Sequence, residues 1–281
     1  MTRSISPSPC PSPASRGEGK VQQLIRDVIG GVRTRRSERP ALIGVGGAQG
    51  SGKSHQCRAY AERHPRIAHF SLDDIYLTRA ERLDMARDIH PLCATRGPPG
   101  SHDLGLADRV IAELEDPSGK QKVKLPRFDK VTDDRAPEAN WPVFEGLPHA
   151  ILVDGWCMGA APLDPASLDA PLNALEREQD ADGGWRRMIA AHLADDYQTF
   201  FDGFDAMIYL AAPSWEIVRT WRGEQEVETR GRPLTAEENA ALDRFVMHYE
   251  RVTRAMLAGR HRAQWIAHLD EARGVTRVEE R

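Results

Sequence analysis

Apolar positions along the chain repeat with two distinct periods. Val21, Leu24, Ile25, Val28, Ile29 and Val32 recur at three- and four-residue spacing, which predicts a helix over residues 20–35 with one apolar face. Short, largely apolar runs follow at residues 41–45, 66–72, 150–155, 205–211 and 264–269, and each reads as a buried strand. Between them, helices are expected over residues 54–63, 78–88, 105–115 and 185–201, with a loop bearing a short helix at 161–184. Leu242, Phe245, Val246, Tyr249, Val252, Met256 and Leu257 make a last helical stripe, read as core packing. Strands alternating with helices predict an α/β fold on a parallel sheet. The two ends lack this patterning. Residues 1–19, rich in Ser and Pro, are expected to be disordered, with neither the apolar core of a secretion signal nor the amphipathic period of a transit peptide. The charged segment after residue 269 is expected to fray, and residues 20–281 are expected to form one domain with no internal repeat.

Composition acts by exclusion. The 281 residues are 40% hydrophobic and 28% charged, as in an ordinary globular α/β protein. A formal net charge of −4 gives no general drive toward nucleic acid. No apolar run approaches the ~18 residues of a membrane helix, so no membrane partner is expected. Cys10, Cys57, Cys93 and Cys157 are scattered without a C-x-x-C pair, the usage of reduced cytoplasmic thiols.

The chemistry begins at Gly47-Ala-Gln-Gly-Ser-Gly52-Lys53-Ser54, which fills every fixed position of G-x-x-x-x-G-K-[ST]. A strand leads in and a helix leads out, context that a chance match lacks. The backbone of Gly47, Ala48, Gln49, Gly50, Ser51 and Gly52 can curl so that N–H groups meet phosphate oxygens. Lys53 adds charge for the β- and γ-phosphates, and the Ser54 hydroxyl can ligate Mg²⁺, so the expected cofactors are ATP and Mg²⁺. Asp73 and Asp74 end the second strand, where open α/β sheets place their ligands; a catalytic role for one competes with capping of the next helix. Asp154 ends a strand in the manner of a Walker B acid and would hold Mg²⁺ directly or through water. Residues 96–103 (Arg-Gly-Pro-Pro-Gly-Ser-His-Asp) form a rigid loop, and Arg127 and Lys130 lie in a turn after a brief strand. Arg219, Arg222, Arg230 and Arg232 are interleaved with Glu224, Glu226 and Glu228. They read as a lid bringing cations to transferring phosphate or as a salt-bridged surface helix.

Taken together, these motifs resemble the D-glycerate 3-kinases and related ATP-dependent kinases of the phosphoribulokinase–uridine kinase group. The resemblance spans roughly residues 42–273. It rests on the phosphate loop, Ser71-Leu-Asp-Asp-Ile-Tyr-Leu-Thr78, the 96–103 loop, Lys124-Leu-Pro-Arg-Phe-Asp-Lys130, Trp141-Pro-Val-Phe-Glu-Gly146, Val153-Asp-Gly-Trp156 and Pro213-Ser-Trp-Glu-Ile-Val-Arg-Thr-Trp-Arg222. It implies a P-loop three-layer fold: a five-stranded parallel sheet in the order 2-3-1-4-5, helices on both faces and an arginine-bearing lid. It also implies that Asp73 is the general base and Asp74 a neighbour or a Mg²⁺-linked residue, with Tyr76, Arg96, His102 and Asp103 on the acceptor side and Arg219 and Arg222 in the lid. Two departures stand out: Asp154 where many members carry Glu, and Ile75 in place of an aromatic residue.

The expected function is that of an ATP-dependent kinase of a small hydroxy acid, D-glycerate above all, with Arg127, Lys130 or Arg96 pairing with the acceptor carboxylate. Pantothenate and uridine kinases share the outline and stand as alternatives. A nucleotide-hydrolysing switch stands further off, since the chain carries neither N-K-x-D nor the Leu-Ser-Gly-Gly-Gln signature.

Overall fold

The computed structural model describes residues 15–36, 38–118 and 122–281. Cys10 and most of the Ser/Pro-rich tail lie outside these residues. Six strands make the central sheet: β1 (Ala41–Gly47), β2 (Ile67–Ser71), β3 (Ala150–Gly155), β4 (Ala206–Ala211), β5 (Trp265–Leu269) and β6 (Val275–Glu280). They run in the order β2-β3-β1-β4-β5-β6 and are parallel except for the β5–β6 hairpin. The first five therefore take the order 2-3-1-4-5.

The helices are α1 (Ser15–Arg35), α2 (Lys53–Arg63), α3 (Arg79–Asp88), α4 (Leu104–Glu115), α5 (Ala174–Gln179), α6 (Gly184–Ala194), α7 (Asp196–Asp202), α8 (Trp215–Arg230) and α9 (Ala236–Leu257). Two antiparallel ribbons, Lys122–Lys124 with Val143–Glu145 and Phe128–Asp129 with Asp134–Arg135, interrupt the path from β2 to β3.

Alternate residues of each parallel strand enter opposite cores, which is why the strands are apolar on both faces. Ile43 and Val45 of β1 join α1, α2 and α8 through Ile25, Val28, Cys57, Tyr60, Val218 and Trp221. Leu42, with Ile151 and Val153 of β3, joins α4, α6, α7 and α9 through Leu114, Ile189, Tyr197 and Val252. Each large aliphatic chain buried this way contributes about 1.5–3 kcal/mol. Gly46 marks a tight crossing: a Cβ there would stand 2.4 Å from the backbone oxygen of Met158, so the loop after β3 can lie directly against the end of β1.

Three boundaries differ from the sequence reading. α1 starts at Ser15 rather than Lys20. The single helix expected over 185–201 is two, because the backbone at Asp195 leaves helical values (φ −116°, ψ −93°). The segment expected to fray after 269 instead turns back as β6. Its solvent-facing edge carries Thr, Arg and Glu, which mask the strand period.

Candidate active site

β1 delivers the phosphate loop to the carboxyl edge of the sheet, and the loop closes into α2. Gly50 and Gly52 sit at φ 76° and 86°, in the left-handed region that favours glycine, and Gly52 caps α2. Gln49 Nε2 and Ser51 Oγ are buried in this loop without a protein hydrogen-bond partner, polar groups that a phosphate would satisfy. Beside it, the Ser54 hydroxyl donates to Asp154 Oδ2 at 2.5 Å. Two hard oxygen ligands at the end of β1 and β3 fit Mg²⁺. His69 Nε2 lies 2.8 Å from the other Asp154 oxygen, and Ser71 Oγ donates to the Asp154 backbone oxygen at 3.1 Å. Asp154 is fully buried, and these neighbours orient it.

Past β2 the two adjacent carboxylates take separate jobs. Asp74 accepts from the backbone N–H of Ser71 at 3.0 Å, completing a capping box over the 3₁₀ turn Leu72–Asp74. It also pairs with Arg127 at 3.1 Å. Burial pushes its carboxyl up, against Arg127 and the Ser71 amide, while Asp154 and Asp73 push it further up. Asp73 faces away from the cap. It accepts from Tyr76 Oη at 2.6 Å and from Lys130 Nζ at 2.7 Å. Loss of water would raise its carboxyl, but Lys130, Lys53 and the hydrogen bonds from Lys130 and Tyr76 hold it well below the usual carboxylate range. The influence of Lys53 ties Asp73 to the phosphate loop.

The acceptor-side loop is knitted together by partners far apart in sequence. Tyr76 and His102 form an isolated β-bridge, with ring centroids 4.8 Å apart. Tyr197 Oη accepts from the N–H of Gly100 at 3.1 Å and meets His102 Nδ1 at 2.5 Å. The phenol and the imidazole share that contact, and Nε2 of His102 is buried without a protein partner. Burial lowers the His102 pKa to about 4, with Asp73 opposing, so the ring is neutral. Arg96 pairs with Asp133, and its guanidinium lies 5.5 Å from the centre of Phe128. Tyr249 donates to the Arg96 backbone oxygen at 2.9 Å.

Of the residues expected at the site, Lys53, Ser54, Asp73, Asp74, Tyr76, Arg127, Lys130 and Asp154 are brought together, with His102 stacked behind Tyr76. Asp103 is committed elsewhere: it caps α4 by accepting from Leu106 at 2.8 Å and pairs with Arg135 at 3.1 Å. The lid arginines also have local partners. Arg219 is taken up by Asp243 and Asn239 of α9. Arg222 donates to Glu226 at 2.5 Å and lies over Phe245, with Tyr249 close enough to feel its charge. Arg230 and Arg232 both pair with Glu238, as a surface ion network would.

Sequence reading missed four contributors. His69, Asp133, Arg135 and Tyr197 make contacts that depend on the crossover connections rather than on local spacing. His69 alone left a trace, as a basic residue within an apolar strand.

No family model matches the chain. It is 31% identical over 225 residues to an uncharacterized kinase, mug58, of Schizosaccharomyces pombe, across 75% of this chain and 79% of that one. It is 27% identical over 221 residues to a chloroplastic D-glycerate 3-kinase of Arabidopsis thaliana, a match that spans 75% of this chain but 46% of that protein. Among solved structures, a D-glycerate 3-kinase from Cryptococcus neoformans superposes with a TM-score of 0.74 at 22% identity, covering 93% of this chain and 99% of that one. The YGR205w protein superposes with a TM-score of 0.70 at 20% identity, covering 97% and 99%. Both share the fold.

Proposed function

The chain belongs to the ATP-dependent P-loop kinase family that includes D-glycerate 3-kinase, and from that premise we propose that it phosphorylates a hydroxyl of a small hydroxy acid, D-glycerate first among them, giving 3-phosphoglycerate. One observation carries the reading. A carboxylate, Asp73, stands within the influence of Lys53 of the phosphate loop and under the hand of Lys130 at 2.7 Å, with Arg127 on the adjacent acid at 3.1 Å. An anionic acceptor brought toward the γ-phosphate meets repulsion, and these cations offset it. Mg²⁺ would be held by Ser54 and Asp154 and would supply charge neutralisation at the phosphates.

In this reading Lys53 follows the transferring phosphoryl group, with Arg219 and Arg222 the lid candidates. Asp73 accepts the hydrogen bond of the attacking hydroxyl and aims it. Its lowered pKa suits a loose transition state, in which the hydroxyl keeps its proton until late and orientation matters more than basicity. Arg127 and Lys130 exchange an aspartate partner for the acceptor carboxylate, a bidentate contact being open to Arg127. His102, held by Tyr197, offers its unpartnered Nε2 to a polar group of the acceptor. A nucleoside acceptor is less well served, because Phe128, the ring that could stack a base, lies against the guanidinium groups of Arg82 and Arg96 at 5.8 and 5.5 Å. Residues 20–281 act here as one kinase unit. A reducing, cytoplasmic setting suits the unpaired, buried thiols of Cys57, Cys93 and Cys157.

The deciding experiment is ADP release with MgATP and D-glycerate, pantothenate, uridine or no acceptor, with the product identified by NMR. Turnover with D-glycerate and phosphate on the terminal hydroxyl is expected. Turnover with uridine or pantothenate alone would move the acceptor assignment, and equal ADP release without any acceptor would replace the kinase by a hydrolase.

A further inference from the structure

The β5–β6 hairpin closes through residues 270–274, and Arg273 occupies its one left-handed position, φ 64°. Arg273 N–H bonds back to the oxygen of Asp270 at 2.9 Å, and Asp270 N–H bonds to the oxygen of Gly274 at 2.8 Å. Hairpins of this form ordinarily put glycine at the left-handed position, because any Cβ there is crowded. Here glycine stands one residue later, and an arginine holds the strained place. A non-glycine outlier of this kind persists where something else over-determines it.

What over-determines it is visible in the side chain. Nε of Arg273 donates to the backbone oxygen of Gly50, inside the phosphate loop, at 2.6 Å. The guanidinium lies 5.1 Å from the centre of the Trp221 ring, and Nη2 donates to Glu224 at 2.6 Å. Trp221 is fully buried and returns the contact, donating Nε1–H to the oxygen of Glu271 in the same hairpin turn at 2.8 Å. The loop and α8 touch so closely that a Cβ on Gly50 would stand 2.5 Å from Cβ of Trp221. One guanidinium thus joins three parts: the crest of the phosphate loop, the helix bearing Arg219 and Arg222, and the last hairpin.

We propose that Arg273 is a positioning residue for nucleotide binding: from the C-terminal hairpin it clamps the Gly50 carbonyl outward and fixes the phosphate loop against α8. Holding that peptide plane presets the amide groups that follow it in the loop, so that a bound phosphate does not have to order them. The planar fork is needed, because it donates to a carbonyl and a carboxylate while stacking on an indole, which an ammonium cannot do together. This rests on the phosphate loop binding nucleotide and not on which acceptor is phosphorylated.

The test is MgADP affinity by titration calorimetry, beside KM for ATP and for the acceptor, in Arg273→Ala, Arg273→Gly and Arg273→Lys. MgADP affinity and KM for ATP are expected to worsen by about tenfold or more in Ala and Gly, the size of one lost charge-assisted hydrogen bond. KM for the acceptor should stay within twofold, and Lys should recover part of the loss. Arg273→Gly relieves the backbone strain, so it should melt no lower than Arg273→Ala while binding nucleotide as poorly. Unchanged MgADP affinity in both Ala and Gly would overturn the proposal. So would a loss that tracks melting temperature and raises both KM values together. Failure of the unmodified protein to bind MgADP would instead remove the phosphate-loop reading itself.

Discussion

The nucleotide side of the site is built from one contiguous segment and two strand ends, whereas the acceptor side is built from loops that meet only in the folded chain. On the first, glycine conformations set the loop, and two short side chains meet at 2.5 Å, Ser54 from the first turn of α2 and Asp154 from β3, the strand that pairs with β1. On the second, each candidate cation is held by an acid: Lys130 by Asp73, Arg127 by Asp74, Arg96 by Asp133. The first arrangement is rigid before any ligand arrives. The second is a set of exchangeable ion pairs, part-exposed and individually weak in water, which an anionic acceptor can displace. Under the proposed function, affinity for nucleotide would rest on backbone geometry and affinity for the acceptor on competition among charges.

Perturbing each side tests that contrast. Lys53→Ala should abolish measurable transfer, because no other residue supplies charge from within the loop; near-normal turnover would take the loop out of the chemistry. Asp73→Asn should lower kcat by about 10²–10⁴-fold while MgADP affinity is retained, and Asp74→Asn should be milder in kcat because its carboxylate serves the capping box. A reversed pair of results would hand the orienting role to Asp74. The smallest effect concerns His102. Its pKa is about 4 in the fold and near 6.5 in an unfolded chain. Between those values the unfolded chain binds a proton that the folded one does not. The stability tied to neutral His102 is therefore complete above pH ~6.5 and lost as pH falls through about 4. Stability, followed by denaturant unfolding from pH 7 to 4.5, should fall less steeply in His102→Gln, by at most about 1.4 kcal/mol per pH unit. An unaltered slope would show that folding leaves the His102 pKa where it is in the unfolded chain.

The same contrast explains what the sequence made legible. The strands, the phosphate loop and the place of Asp154 were readable because their signals are local: an apolar run, a fixed glycine spacing, an acid at a strand end. The strand order came from the family resemblance instead. The pairing of Asp73 with Tyr76 and Lys130 was half-legible, since the residues were named but not their partners. Asp103 was ambiguous because a loop acid before a helix reads alike whether it binds ligand or caps, and here it caps α4. Tyr197 and His69 were missed because their roles depend on which elements the crossovers bring together. The hairpin strand Val275–Glu280 was missed because its outer face is polar and its inner face shows chiefly Val275.

The order in which the parts are synthesised now matters. The glycine of the phosphate loop and the arginine that holds its carbonyl are separated by 223 positions. At roughly 5–20 residues per second, on the order of ten seconds or more passes between their emergence from a ribosome. For the first part of that interval β1 also lacks β3 and β4, the strands that flank it. A nascent chain therefore displays the whole motif before the scaffold that gives it shape, and on the proposed role of Arg273 the full affinity for nucleotide waits on a residue far downstream of the loop. Nucleotide present during synthesis would favour chains that have reached Arg273 over shorter ones.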